Sequence, residues 1–406
     1  MVRSTMGTRM LRSLLRSGKA QQRSVGKLVT GLLTAAVKSA KAGAKAEAKA
    51  KAKIVKAKTA KPRSVAAKMV KAKALPSRVA SASARAKPAP AGVAPASHVP
   101  PGEPGKWLAS HYPSRGEPGA LGGKRMSYWL YLPHEAPAAE SAGMPLLVML
   151  HGCQQTATQF AQGTRMNALA DKAGYAVVYP QQLLSSQAQR CWKWYDKSTQ
   201  EGGGDVRMIV GIIDKVAQQY PIDRRRIYIC GISAGAAMAY IVALNHPELI
   251  AAAGLHSAPA FGAGHNVIGA LGVMQHGAGL RVERAIHEVL LREPRFPVLP
   301  AILIQGMGDQ VVRPINQSQL TRQSLMLNRM QVGADYKVTH KAGRGNSHNR
   351  QDIHDFYVGR KLILRVAQVA RLEHAWSGGD PSLAFNAKAG PDASKMMLDF
   401  FGRHRR

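Results

Sequence analysis

Short apolar, β-prone runs that alternate with segments of helical period predict an α/β fold, with a mostly parallel central sheet of about eight strands and helices on both faces. Three observations carry this prediction. The runs 145–150 and 175–179 are continuously apolar, as strands covered on both faces are. A helix over 157–172 joins them, which makes a βαβ unit. Residues 226–240 then write a strand, a glycine turn and an Ala-rich helix side by side, with Gly231-Ile232-Ser233-Ala234-Gly235 at the turn.

Ahead of these elements lies a different kind of chain. The net charge is +34, and residues 1–100 hold 23 Lys and Arg against a single acidic residue, Glu47. From about 38 to 101 the sequence is Lys-Ala repeat followed by a Pro-, Ala- and Ser-rich stretch with almost no large apolar side chain, so burial cannot offset the entropy of ordering it. The expected organisation is a disordered basic arm and linker over 1–104 and a globular domain over 105–406. The arm is similar to the cationic tails of histone-like proteins and of basic granule proteins. It suits salt-sensitive attraction to a polyanion such as nucleic acid, anionic lipid or a polymer granule; the competing reading is a solubilising tether. No aromatic residue precedes Trp107, which excludes base stacking by the arm.

No apolar run approaches the roughly 18 residues of a membrane span, so no transmembrane segment is expected. The stretch 28–37 reads as an amphipathic helix more readily than as a signal-peptide core. Three cysteines, Cys153, Cys191 and Cys230, are too few for a disulfide scaffold.

In chain order, 126–132 is the first predicted strand, and 145–150 ends in His151-Gly152-Cys153. After the helix 157–172 and the strand 175–179, Asp205 caps a helix through Gln219 whose Val206, Ile209, Ile212, Ile213 and Val216 share one face. The strand into Ser233 and its helix follow, then a strand over 251–255 and an insertion over 258–297 at the sheet edge. The strand 298–305 leads into Gly306-Met307-Gly308-Asp309 and a helix to about 330. A strand at 336–339, a polar loop and a strand at 362–369 come next. Pro391 starts the last helix, which buries Met396, Met397, Phe400 and Phe401.

The glycines around Ser233 allow a tight turn that leaves the hydroxyl at its apex, and a helix beginning at Ala234 aims free N–H groups at the same point. The alternative is that Ser233 is only an N-cap. A serine nucleophile needs a base, and the base needs an acid, in loops beyond strand carboxyl ends. Asp309, just past the strand 298–305, is the candidate acid, with a turn or helix cap as the competing role. His374 follows the last strand and is the candidate base, and the order Ser233, Asp309, His374 is that of α/β-hydrolase triads. His256 comes too soon after the serine and suits packing or support better. His348, Asp352, His354 and Asp355 match no usual zinc spacing, so a solvated loop is expected there and no metal. The amides of Cys153 and Ala234 are the candidate oxyanion donors. The Cys153 thiol either pairs with Cys191 or fills space, and Cys230 reads as a small hydrophobe inside a strand. Trp192 and Trp194 form an aromatic cluster, either core or a wall for an apolar acyl chain, and Trp376 joins them as a candidate substrate contact.

Five segments carry a family resemblance: His151-Gly152-Cys153-Gln154-Gln155, Phe160-Ala161-Gln162-Gly163-Thr164-Arg165-Met166-Asn167, Cys191-Trp192-Lys193-Trp194, Gly231-Ile232-Ser233-Ala234-Gly235 and His374-Ala375-Trp376-Ser377-Gly378-Gly379. Over about 120–402 the chain resembles the poly(3-hydroxybutyrate) depolymerase family of esterases. Lys193 and Ala236 stand where the family pattern leads one to expect Asn and Gly. The resemblance implies an α/β-hydrolase fold, a Ser233-Asp309-His374 triad, and oxyanion amides at Cys153 and Ala234. It also implies hydrolysis of carboxylic esters without a cofactor, on poly- or oligo(3-hydroxybutyrate) or related short acyl esters, with feruloyl and acetylxylan esters as the alternative. Secretion is usual for the family. The missing signal peptide keeps a cytoplasmic, granule-associated location as the runner-up, and a granule- or nucleoid-binding protein acting through the arm as the rival of another class.

Overall fold

The computed structural model describes residues 104–406 except 114–124, 136, 139–140, 188, 331–335 and 342–349, so all but the end of the expected arm, the 28–37 segment and His348 lie outside the described residues. Two strands open the chain, β1 (Lys106–Pro113) and β2 (Arg125–Leu132), followed by β3 (Met144–Leu150), every residue of which is buried. Next come α1 (Ala157–Thr164), α2 (Met166–Ala173), β4 (Ala176–Pro180), the short α3 (Lys197–Gln200) and α4 (Asp205–Gln219). Then β5 (Ile222–Ile232), α5 (Ala234–Asn245) and β6 (Ala252–His256) form the middle of the molecule. The insertion holds α6 (Val267–His276) and α7 (Arg281–Arg292) and leads to β7 (Ala301–Gly306) and α8 (Ile315–Leu327). The chain finishes with β8 (Tyr336–Lys341), β9 (Gln351–Val358), β10 (Lys361–Val369), the small pair β11 (Trp376–Ser377) and β12 (Asn386–Ala387), and α9 (Ala393–Phe401).

Ten strands form one sheet in the order β1-β2-β4-β3-β5-β6-β7-β10-β9-β8. From β4 to β10 all neighbours are parallel, and an antiparallel pair closes each edge. This is the expected α/β sheet with two strands more than the apolar runs indicate. β1 is missed because it is half exposed and pairs with β2 alone. β9 is missed because its sequence is polar where a solvated loop is expected. Asp355 within it is nonetheless buried, its carboxylate held by Arg365 of β10 at 2.7 and 2.6 Å, a pairing across strands that hydropathy cannot register.

Three local expectations are corrected. The helix 157–172 is two helices, broken at Arg165, whose backbone is left-handed at φ 54° and whose guanidinium donates to the Gly378 carbonyl. Asp205 is the first residue of α4 rather than its cap, which is Gly204; the carboxylate accepts from Gln182 instead. The cap of α9 is Asp392, which accepts from the Lys395 amide, and Pro391 precedes it. α5 is buried on all sides, so it shows no amphipathic stripe and packs against β5 and β6 at the centre of the core.

Candidate active site

All six parallel strands point their carboxyl ends to one edge, and the residues singled out by the sequence follow β3, β5, β7 and β10 directly. At the end of β5, Ser233 has φ 57° and ψ −124°, a left-handed conformation unusual for a residue with a Cβ. It costs on the order of 1–3 kcal/mol and persists because its surroundings fix it. The Ser233 amide donates to the His256 carbonyl at 2.9 Å, and the Ser233 carbonyl accepts from Ala237 at 3.0 Å. The two flanking glycines are sterically required. A Cβ on Gly235 would lie 2.1 Å from the Leu150 carbonyl oxygen, and one on Gly231 2.4 Å from that same oxygen. α5 can therefore start close against β3 and present the hydroxyl at the sheet edge.

Asp309 and His374 lie on neighbouring loops that are stitched together. Met307 donates to the Val369 carbonyl at 2.9 Å and Gly308 to that of Leu372 at 3.0 Å, while a Cβ on Gly306 would collide with Leu372 at 2.1 Å. His374 Nδ1 donates to Asp309 Oδ2 at 2.8 Å, which leaves Nε2 as the free acceptor of the ring. The other Asp309 oxygen accepts from the Val311 and Val312 amides, both at 2.9 Å, and Gln305 Nε2 adds a fourth bond at 3.1 Å. Burial alone would raise the Asp309 pKa. The His374 charge and hydrogen bond and the two amides outweigh it and hold the carboxyl below its ordinary range.

Two buried neutral histidines support this edge. His256 Nε2 accepts from the Ser377 amide at 3.2 Å, so the ring proton is on Nδ1 and goes to Ser257 Oγ at 3.1 Å. Burial, helped by the nearby His374 charge, lowers its pKa to about 3. Its carbonyl holds Ser233 while its ring holds the segment after His374. His151, lowered to about 4 chiefly by burial, donates from Nδ1 to the Gly152 carbonyl and accepts the Gln182 amide at Nε2. Gln155 Oε1 accepts the Gly152 amide at 2.8 Å, and a disulfide joins Cys153 to Cys191, so the 151–155 loop is held from several sides. Among the described residues, no protein acceptor takes the Cys153 or Ala234 amide.

Two cavities meet at Ser233 and Cys153. The smaller one, of about 220 Å³, is also lined by His374, Gln155 and Phe385. The larger, of about 440 Å³, is walled by Cys191, Trp194 and Pro259 and by Val267, Leu271 and Met274 of α6. Of the three tryptophans, Trp194 alone lines either of these two cavities. Trp192 is fully buried with its indole N–H on the His151 carbonyl, and Trp376 stacks on His256 and donates to Ser394 Oγ. Both lie behind the site and brace its loops. Cys230 is a buried free thiol in β5, pushed up in pKa by burial. Sequence reasoning missed Gln305, the one polar residue in an apolar strand run, and the cleft-lining face of α6, whose apolar residues sit in a segment of no clear period.

A hydroxyl on a strained turn, an imidazole oriented by a buried carboxylate and two unengaged amides are the parts that acyl transfer to serine uses. Sheet and site together have the architecture of an α/β-hydrolase. The family model described as esterase PHB depolymerase matches residues 126–348, more than half of the chain, and the chain belongs to that family. It is 34% identical over 118 residues to poly(3-hydroxyalkanoate) depolymerase C of Paucimonas lemoignei, a stretch that is 29% of this chain and 28% of that protein. It is 35% identical over 114 residues to a probable acetylxylan esterase A of Aspergillus fumigatus, 28% of this chain and 30% of the relative. With feruloyl esterase B of Neurospora crassa it shares 32% over 114 residues, 28% and 38% of the two chains. The matched stretches thus span well under half of these relatives. An acetyl xylan esterase structure from Aspergillus awamori superposes with a TM-score of 0.55 at 18% identity, covering 72% of this chain and 99% of that one, which establishes a shared fold.

Proposed function

We propose that the chain is a serine esterase that cleaves carboxylic esters through an acyl-enzyme. The observation that supports it best is that His374, oriented by Asp309 at 2.8 Å, lines one cavity with Ser233 and Cys153. His374 Nε2 takes the Ser233 proton as Oγ attacks the ester carbonyl. The amides of Cys153 and Ala234 bind the oxyanion, and Asp309 stabilises the imidazolium. His374 then gives the proton to the leaving alkoxide, and water repeats the sequence to free the acid. Ser233→Ala is expected to abolish turnover of p-nitrophenyl butyrate at unchanged thermal stability; turnover equal to wild type would remove Ser233 from the mechanism.

The substrates we favour are poly- or oligo(3-hydroxybutyrate) and related short acyl esters, with feruloyl and acetylxylan esters as the alternative that the relatives' names suggest. Turnover of hydroxybutyrate oligomers measured beside feruloyl and acetyl esters separates the two. The Cys153–Cys191 disulfide favours work in an oxidising compartment outside the cytoplasm. Among the described residues no helix is long and apolar enough to cross a membrane.

The charge of the first hundred residues favours a second activity beside the first, attraction of the basic arm to a polyanion. Deleting residues 1–104 is expected to abolish salt-sensitive retention on heparin while ester turnover stays at the full-length value; retention that survives the deletion refutes the idea.

A further inference from the structure

We propose that the larger, apolar cleft takes the acid side of the ester and the cavity bearing His374 takes the alcohol side, so that α6 of the insertion selects esters with an uncharged, apolar acyl chain. The inference rests on the serine-esterase reading above and adds a direction to it. In the acylation step the Ser233 Oγ–carbon bond forms and the carbon–alkoxy bond breaks, and the serine proton passes through His374 Nε2 to the departing alkoxide. The alkoxy oxygen must therefore lie beside His374. Only the smaller cavity contains that ring, together with Gln155 and Phe385. The oxyanion occupies the junction, since the residue offering its amide, Cys153, lines both cavities. The remaining substituent of the carbonyl carbon, the acyl chain, is left with the larger cleft, which holds Ser233 and Ala234 but not His374.

The chemistry of that cleft names the chain it accepts. Its lining is Trp194, Tyr195, Pro259, Leu271 and Met274 with the closed Cys153–Cys191 bridge, and no residue charged at neutral pH takes part. An acyl chain entering it loses water against apolar walls, whereas a carboxylate at its end would lose hydration with no partner. Leu271 and Met274 stand three residues apart on α6 and so share the face that closes the cleft.

Two isomeric esters test the direction, since ethyl butyrate and butyl acetate carry the same atoms on opposite sides of the carbonyl. With the full-length protein in a pH-stat assay, kcat/KM is expected to favour ethyl butyrate about tenfold, the gain from burying two methylenes. Monoethyl succinate should be at least a hundredfold poorer than ethyl butyrate. Leu271→Trp, which fills the cleft, should reduce the butyrate-to-acetate ratio at least tenfold, and Leu271→Ala should move the acyl optimum from butyrate toward hexanoate. A wild-type ratio of one or less, or a Leu271→Trp ratio equal to wild type with Leu271→Ala leaving the acyl optimum in place, overturns the assignment. Absence of turnover with every ester would instead overturn the esterase reading on which it stands.

Discussion

Replacing Asp309 by Asn keeps its shape and reverses one donor–acceptor relation, and the hydrogen bonds around it determine which one. Oδ1 accepts two backbone amides, from Val311 and Val312, so an asparagine must put its carbonyl oxygen there. The NH2 group then occupies the Oδ2 position, where it faces the N–H of His374 and that of Gln305. The imidazole can relieve this only by moving its proton to Nε2, which ends its capacity to take a proton from Ser233. The Gln305 clash has no such relief, because Gln305 Nε2 also donates to the Val312 carbonyl at 2.9 Å. The expected cost is on the order of 1–3 kcal/mol of stability. The expected loss in kcat is about 10⁴-fold, the size found when a triad base is held in the wrong tautomer. p-Nitrophenyl butyrate hydrolysis at pH 8 and a thermal melt measure the two effects. A variant that melts near wild type and retains more than a hundredth of its kcat would refute the role given to the Asp309–His374 bond.

Cys191→Ser opens a bridge that spans 38 residues, and should cost about 3–4 kcal/mol in urea unfolding together with at least a tenfold loss of kcat as the Cys153 amide loses its tether; unchanged values in both would remove the bridge from the design of the site. His404 bears on acid stability: its ring packs 4.5 Å from Phe400, neither nitrogen has a hydrogen-bond partner among the described residues, and burial lowers its pKa to about 4 from an ordinary 6.5. The native state therefore binds fewer protons than the unfolded state between those values, so the stability contribution is complete above pH 6.5 and is lost as pH falls toward 4. His404→Phe should flatten the fall in melting temperature over that interval and add about 2 kcal/mol at pH 5; a melting profile parallel to wild type counts against it.

Much of the candidate site was legible because its parts are local. Ser233 announces itself by two glycines that a close turn requires, and Asp309 and His374 each follow an apolar run within a few residues, so the end of a strand can be read without knowing its neighbours. Trp192 and Trp376 were not legible as braces, since a tryptophan facing a ligand and one whose N–H meets a buried carbonyl or hydroxyl look alike in sequence. The break at Arg165 was equally hidden. The guanidinium there meets a carbonyl at Gly378, more than two hundred residues away, and helical periodicity runs on through the break.

The order of elements, the parallel core and the chain positions of the candidate nucleophile, base and acid are properties of the sequence alone, because each is written in short-range pattern: apolar runs, turn glycines, helical period. The tertiary structure alone decided that β9 joins the sheet, that Asp309 is held by Gln305 as well as by His374, and that the insertion walls a cleft beside Ser233. Those depend on contacts between segments far apart in the chain, where burial makes a polar residue acceptable only through the partner the fold brings to it.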